Sequence, residues 1–198
     1  NPPDLQTPVN SMNKRRKLGN LGKLEITADT SVIGGIALLF VVFSLLGMKL
    51  FRLKPPAALV GGFLATILHF VAEMWHQTGH ARAAEQTGYP MQSIHLWGVL
   101  GTSVYPADEP PLPPEVHVQR ALGGPRASAL LTVAAGLIAL MVRPVSRLAF
   151  MVAAIFAGEN LGIFTVGAFL PLPFMETDGT TLNRYRADHR KRMIIIQD

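Results

Sequence analysis

The sequence contains no cysteine. Disulfides are thereby excluded, as is zinc held by thiolates, so any metal must sit on His, Asp or Glu. Charge is scarce as well: 16% of residues are Asp, Glu, Lys or Arg, against 49% hydrophobic. Soluble domains carry roughly 25% charged residues, so this chain has too little polar surface to face water on all sides. No internal repeat is visible. The first apolar run starts too far from the N-terminus, and is too long, for the core of a secretory signal. The formal charge of +5 could suit nucleic acid. The basic residues do not interleave with aromatics as a groove-lining surface would. They flank apolar runs, as juxtamembrane charges do, and no nucleic-acid partner is expected.

What the chain does have is long apolar stretches within one domain's length of 198 residues. They predict spans at about 31–51, 57–80, 124–142 and 148–170, each near the ~20 residues that cross a hydrocarbon core of roughly 30 Å. Pro56, Gly88-Tyr89-Pro90, Arg143-Pro144 and Pro171 punctuate them. The expected fold is an all-α integral membrane protein of about four transmembrane helices. A small strand-like insertion is expected after the second, at Met91–Tyr105. Residues 1–29 read as a polar, mobile N-terminal tail and 184–198 as a basic C-terminal tail, flanking a membrane-embedded domain at 30–183. A proline-rich loop occupies Ala107–Glu115. The tails and the loop after the second span hold thirteen Lys and Arg, against five in the two short loops. The positive-inside rule then places both termini in the cytoplasm.

The informative stretch is His76-Gln77-Thr78-Gly79-His80. Residues four apart share a helix face, so both imidazoles can reach one cation. An isolated pair of this spacing can simply mark a helix leaving the membrane. Here Glu73 and His69 continue the same face, and ionisable groups within a span usually mark function. His69 by itself reads as a hydrogen-bonded packing residue. Zinc normally takes a third protein ligand. Asp178, just after the fourth span, is the candidate, because spans two and four run in the same direction and end on one side. The metal site is therefore expected near the cytoplasmic face.

These residues resemble a family. His76 to Ala84 is similar to the His-Glu-x-Gly-His-x-x-x-Ala signature of the site-2 proteases, intramembrane zinc metalloproteases. Gly124-Pro125 resembles that family's Gly-Pro segment, and Phe169-Leu170-Pro171-Leu172-Pro173 with Asp178-Gly179 resembles its Asn-x-x-Pro-x-x-Pro-x-Asp-Gly segment. The resemblance implies zinc on His76, His80 and Asp178, and a transmembrane protein as substrate.

The departures concern catalysis. Gln77 stands where the family has the glutamate that activates the metal-bound water. Ser128 and Leu170 stand where it often has asparagines, and Met175-Glu176 replace part of the proline-rich stretch. Glu73, one turn before His76, could substitute as base or orient a ligand from behind; Glu176 is a further carboxylate near the site. Two functions are expected from this pattern. One is a site-2-protease-like zinc metallopeptidase of the membrane, impaired or inactive because of Gln77. The other is a non-catalytic pseudoprotease, an accessory or scaffold subunit of a larger membrane complex. Membrane lipid, a transmembrane substrate and partner subunits are the expected partners.

Overall fold

A computed structural model describes residues 15–171 and 176–185. The chain enters through a hairpin, β1 (Arg16–Leu21) and β2 (Leu24–Ala28), closed by a two-residue turn in which Gly22 has φ +61°. Then comes α1 (Ser31–Lys49), nineteen residues with no acid. Lys54 is extended, and Pro55 opens α2 (Pro55–Gln86), where a missing N–H costs nothing. With 32 residues, α2 is about 48 Å long. That exceeds a hydrocarbon core of roughly 30 Å, so its polar C-terminal part, from Glu73 on, emerges from the apolar layer.

The second hairpin, β3 (Ser93–Trp97) and β4 (Leu100–Val104), follows, and the four strands form one sheet in the order β1-β2-β3-β4. β2 pairs with β3 in parallel, Ile26 opposite Ile94 and Ala28 opposite Leu96. Parallel neighbours need a long crossover. α1 and α2 supply it by running out and back, which returns the chain to the side it left. The sheet packs on the emerging end of α2 through Ala28, Ala84, Met91, Ile94 and Leu96.

α3 (Pro114–Val142) starts on a proline behind extended Pro113, and α4 (Arg147–Glu159) is capped by Ser146, whose hydroxyl accepts from the Ala149 amide. Beyond Glu159 the fourth span widens into a π-helical segment, Asn160–Val166, and ends in a 3-10 turn, Gly167–Phe169. Among the described residues, four helical segments are long and apolar enough to cross a membrane: Ser31–Lys49, Pro55–Gln86, Pro114–Val142 and Arg147–Phe169. Leu38, Phe63, Leu130, Leu137 and Leu140 are exposed on them, while Phe43, Ala65, Met151 and Ile155 face inward. An integral membrane protein requires this arrangement. Small residues let the helices approach: a Cβ on Gly62 would lie 2.8 Å from the Ser44 backbone nitrogen.

The four spans and the strands after the second agree with expectation, but the all-α description and the tail at 1–29 need correction. Arg16 to Ala28 form two strands of the sheet, whereas residues 1–14 lie outside the described residues. Both strands are short, β1 mostly exposed and β2 half-buried; their order comes from the pairing of β2 with distant β3 and not from a hydrophobic pattern. Two helices also outrun their expected bounds. α2 continues past His80 to Gln86, and α3 begins at Pro114, ten residues before Gly124. Both extensions are polar and were hidden from an apolarity criterion. A short helix covers 178–185, so the first two residues of the expected C-terminal tail are helical. The rest of that tail, and Met175, fall outside the described residues.

Candidate metal centre

His76 and His80 project from the emerging end of α2 and are both buried. Their Nε2 atoms lie 3.0 Å apart, and Oδ2 of Asp178 lies 3.6 Å from the first and 3.5 Å from the second. The three side chains form the one group of His, Asp and Glu donors able to hold a metal among the described residues. A point about 2 Å from all three atoms exists at the centre of that triangle, which matches the bond lengths of zinc to His and carboxylate ligands.

The far side of each imidazole is engaged. His80 Nδ1 donates to the carbonyl of Arg120 at 2.9 Å, and His76 Nδ1 is 3.0 Å from the Ser128 hydroxyl. Such bonds fix ring orientation and direct the Nε2 lone pair inward. Two inward lone pairs beside a carboxylate repel one another unless a cation or protons lie between them. The donor set therefore fits a zinc ion.

The backbone makes room for this arrangement. A Cβ on Gly124 would lie 2.5 Å from His76 Nε2, and on Gly79 it would lie 2.5 Å from the Gly123 carbonyl. Asp178 opens its short helix behind Thr177, whose hydroxyl accepts from the Thr180 amide. Gly179 is required by close packing, since a Cβ there would strike the Phe169 backbone. Burial alone would raise the Asp178 carboxyl, but the bonds and charge of His76 and His80 outweigh it and hold it below the usual carboxylate value.

The overall architecture resembles that of a solved site-2 protease. The structure is the site-2 protease from Methanocaldococcus jannaschii; the TM-score is 0.59 at 17% identity, covering 89% of this chain and 73% of that one. At that identity the likeness concerns the fold alone, and the chemistry must be argued from the residues present. No protein-family model and no curated protein matches the chain.

A cavity of about 650 Å³ opens on the site, lined among others by Glu73, His76, Gln77, His80, Tyr105 and Asp178. Burial pushes Tyr105 up to about 12, so its phenol is neutral at that wall. Gln77 is buried and fully bonded. Its Nε2 donates to Glu73 Oε1 at 2.8 Å and to the Gly101 carbonyl at 3.1 Å, and its Oε1 accepts from Ser103 at 2.7 Å. Glu73 is buried too and holds this amide; it is not among the three converging donors. Glu176 pairs with Arg184 at 3.0 Å on the rim.

His69 is a hydrogen-bonded interior residue, as expected, but its partners were not foreseen: Glu159 at 2.9 Å and the Val99 carbonyl at 2.6 Å. An acid inside an apolar span is itself the signal that singles out Glu159. The carbonyls of Gly101 and Arg120 leave no mark in a sequence.

Proposed function

We propose that this chain is a site-2-protease-like membrane metalloprotein, with zinc on His76, His80 and Asp178, whose peptide-bond hydrolysis is impaired by Gln77. When bound there, zinc supplies a Lewis acid that polarises a carbonyl or a water. Everything else must come from the chain. His76 and His80 are pre-aimed by Ser128 and the Arg120 carbonyl. The cavity admits a segment of a transmembrane protein substrate. The Lys and Arg bias supports cytoplasmic termini. Asp178 and the sheet lie on the side where α1 begins, so the metal site would face the cytoplasm too.

The observation that carries the reading is the amide at 77. An amide accepts no proton at neutral pH, and both of its N–H groups point at acceptors, the Glu73 carboxylate and the Gly101 carbonyl. A carboxylate at 77 would meet those acceptors with no donor of its own, and two adjacent carboxylates cannot both ionise comfortably. The surroundings are thus built for glutamine. This favours, as a second reading, a non-catalytic pseudoprotease that serves as an accessory or scaffold subunit.

The experiment exchanges the pair. Q77E alone should fold less stably, whereas E73Q/Q77E keeps one amide beside one carboxylate and moves the carboxylate to the position of the base. Zinc-loaded wild type should leave a transmembrane reporter intact, and the double variant should cleave it. Cleavage absent from the double variant, with zinc bound and stoichiometric partners copurifying from native membranes, would select the accessory role. Cleavage by wild type that vanishes in E73Q would instead make Glu73 the working base and overturn the proposal of impairment.

A further inference from the structure

His69 lies seven residues before His76 and is 1% exposed. Both ring nitrogens face acceptors, Nδ1 toward Glu159 Oε1 and Nε2 toward the Val99 carbonyl. A neutral imidazole has one N–H and one lone pair, so it cannot donate to both. The arrangement closes only with a second proton between His69 and Glu159, on the imidazole or on the carboxyl. Glu159 Oε2 finds no donor among the described residues, so His69 is what offsets a charge there.

The surroundings leave few other candidates. Glu73, on the same helix, is the other charged group acting on His69, and Gln77 bonds its carboxylate. The fourth span contributes Glu159 and the Phe164 ring at 5.5 Å, and α2 itself adds Phe70. α1 carries no titratable group before Lys49 at its far end. The hairpin presents only a backbone carbonyl.

That carbonyl belongs to the tip between β3 and β4. The same tip is held by the Gly98 amide, which donates to Ser31 Oγ at 2.7 Å, and by Gly35, where a Cβ would strike the Gly98 carbonyl. Two and four residues beyond Val99, β4 holds Gln77 through Gly101 and Ser103. The tip therefore sets where the cavity wall stands.

We infer that His69 and Glu159 form a proton-sharing clasp that docks the β3–β4 tip on the membrane helices and thereby positions the cavity wall beside Gln77. Both are positioning residues. The clasp does not use the metal donors, so it can hold or fail apart from the zinc reading.

Hydrogen exchange of the full chain in lipid nanodiscs reads the docking, because Ser31, and not the strand ladder, holds the Gly98 amide. As pH rises and the shared proton leaves, protection at Gly98–Gly101, corrected for intrinsic exchange, should fall at least about tenfold. Glu159→Gln supplies a permanent donor to Nδ1, so its protection should stay high and flat. His69→Leu removes both bonds and should leave the tip unprotected at every pH while α3 stays protected. An unmodified profile as flat as that of Glu159→Gln, from about pH 5 to about pH 10, would overturn the clasp. So would full protection in His69→Leu. If His69→Leu does not fold, the comparison with nearly isosteric Glu159→Gln decides alone. Zinc content measured on the same samples separates failure of the clasp from failure of the metal reading.

Discussion

α2 brings histidines to two acidic residues of the chain's last third, and the two meetings differ. At His69 and Glu159 the nitrogen and oxygen are 2.9 Å apart and the other nitrogen is 2.6 Å from a carbonyl, so each ring nitrogen has its own partner. At His76, His80 and Asp178 the histidine–carboxylate separations are 3.5 and 3.6 Å, and the outer nitrogens are tied elsewhere. One cluster is closed by protons and the other is held open around a common point. The same residue types make a strut or a cation site, according to where the second nitrogen is satisfied.

The largest expected effect tests that contrast directly. Replacing both His76 and His80 with alanine should abolish zinc binding, a loss well beyond the roughly 10–100-fold typical of supporting residues. His69→Leu should leave one zinc per folded chain in elemental analysis. Zinc lost equally from both variants would break the comparison.

Gly124→Ala comes next. Its new Cβ would lie 2.5 Å from His76 Nε2, at a cost of about 1–3 kcal/mol in strain. Zinc occupancy should drop sharply with a small loss of thermal stability; full occupancy would mean that the cradle has slack. Ser128→Ala removes only the hydroxyl behind His76, so zinc affinity measured by chelator competition should weaken about tenfold. An unchanged affinity would leave His76 oriented by packing alone.

The smallest effect lies in the sheet, at a histidine belonging to neither cluster. Burial and the charge of Arg15 hold His95 below its usual value of 6.5, against the opposing pull of Asp29. The fold then favours neutral His95, so its contribution is complete above that value and is lost as pH falls below it. Thermal stability should decline slightly there, and less so in His95→Gln. An identical decline in both would assign it to other groups.

The grouping of His76, His80 and Asp178 was largely legible in the sequence. The spacing of His76 and His80 puts two rings on one helix face, and the order of spans brings Asp178 to the same end. The supports were not legible. Arg120 and Gly101 act through carbonyls that every residue possesses, and Ser128 gains its role by standing 3.0 Å from a ring 52 residues away. The N-terminal strands were missed for a similar reason: Ile26 and Ala28 acquire order from β3, across two membrane helices.

The amino-acid sequence by itself determined the four apolar helices and the facing histidines, because helical periodicity and the match to hydrocarbon thickness are local properties. Tertiary structure alone decided that residues 16–28 join the sheet, that Gln77 is anchored between Glu73 and β4, and that Glu159 answers His69 ninety residues away. Those outcomes depend on which acceptor comes to face which donor once distant segments pack, and no run of neighbouring residues encodes that.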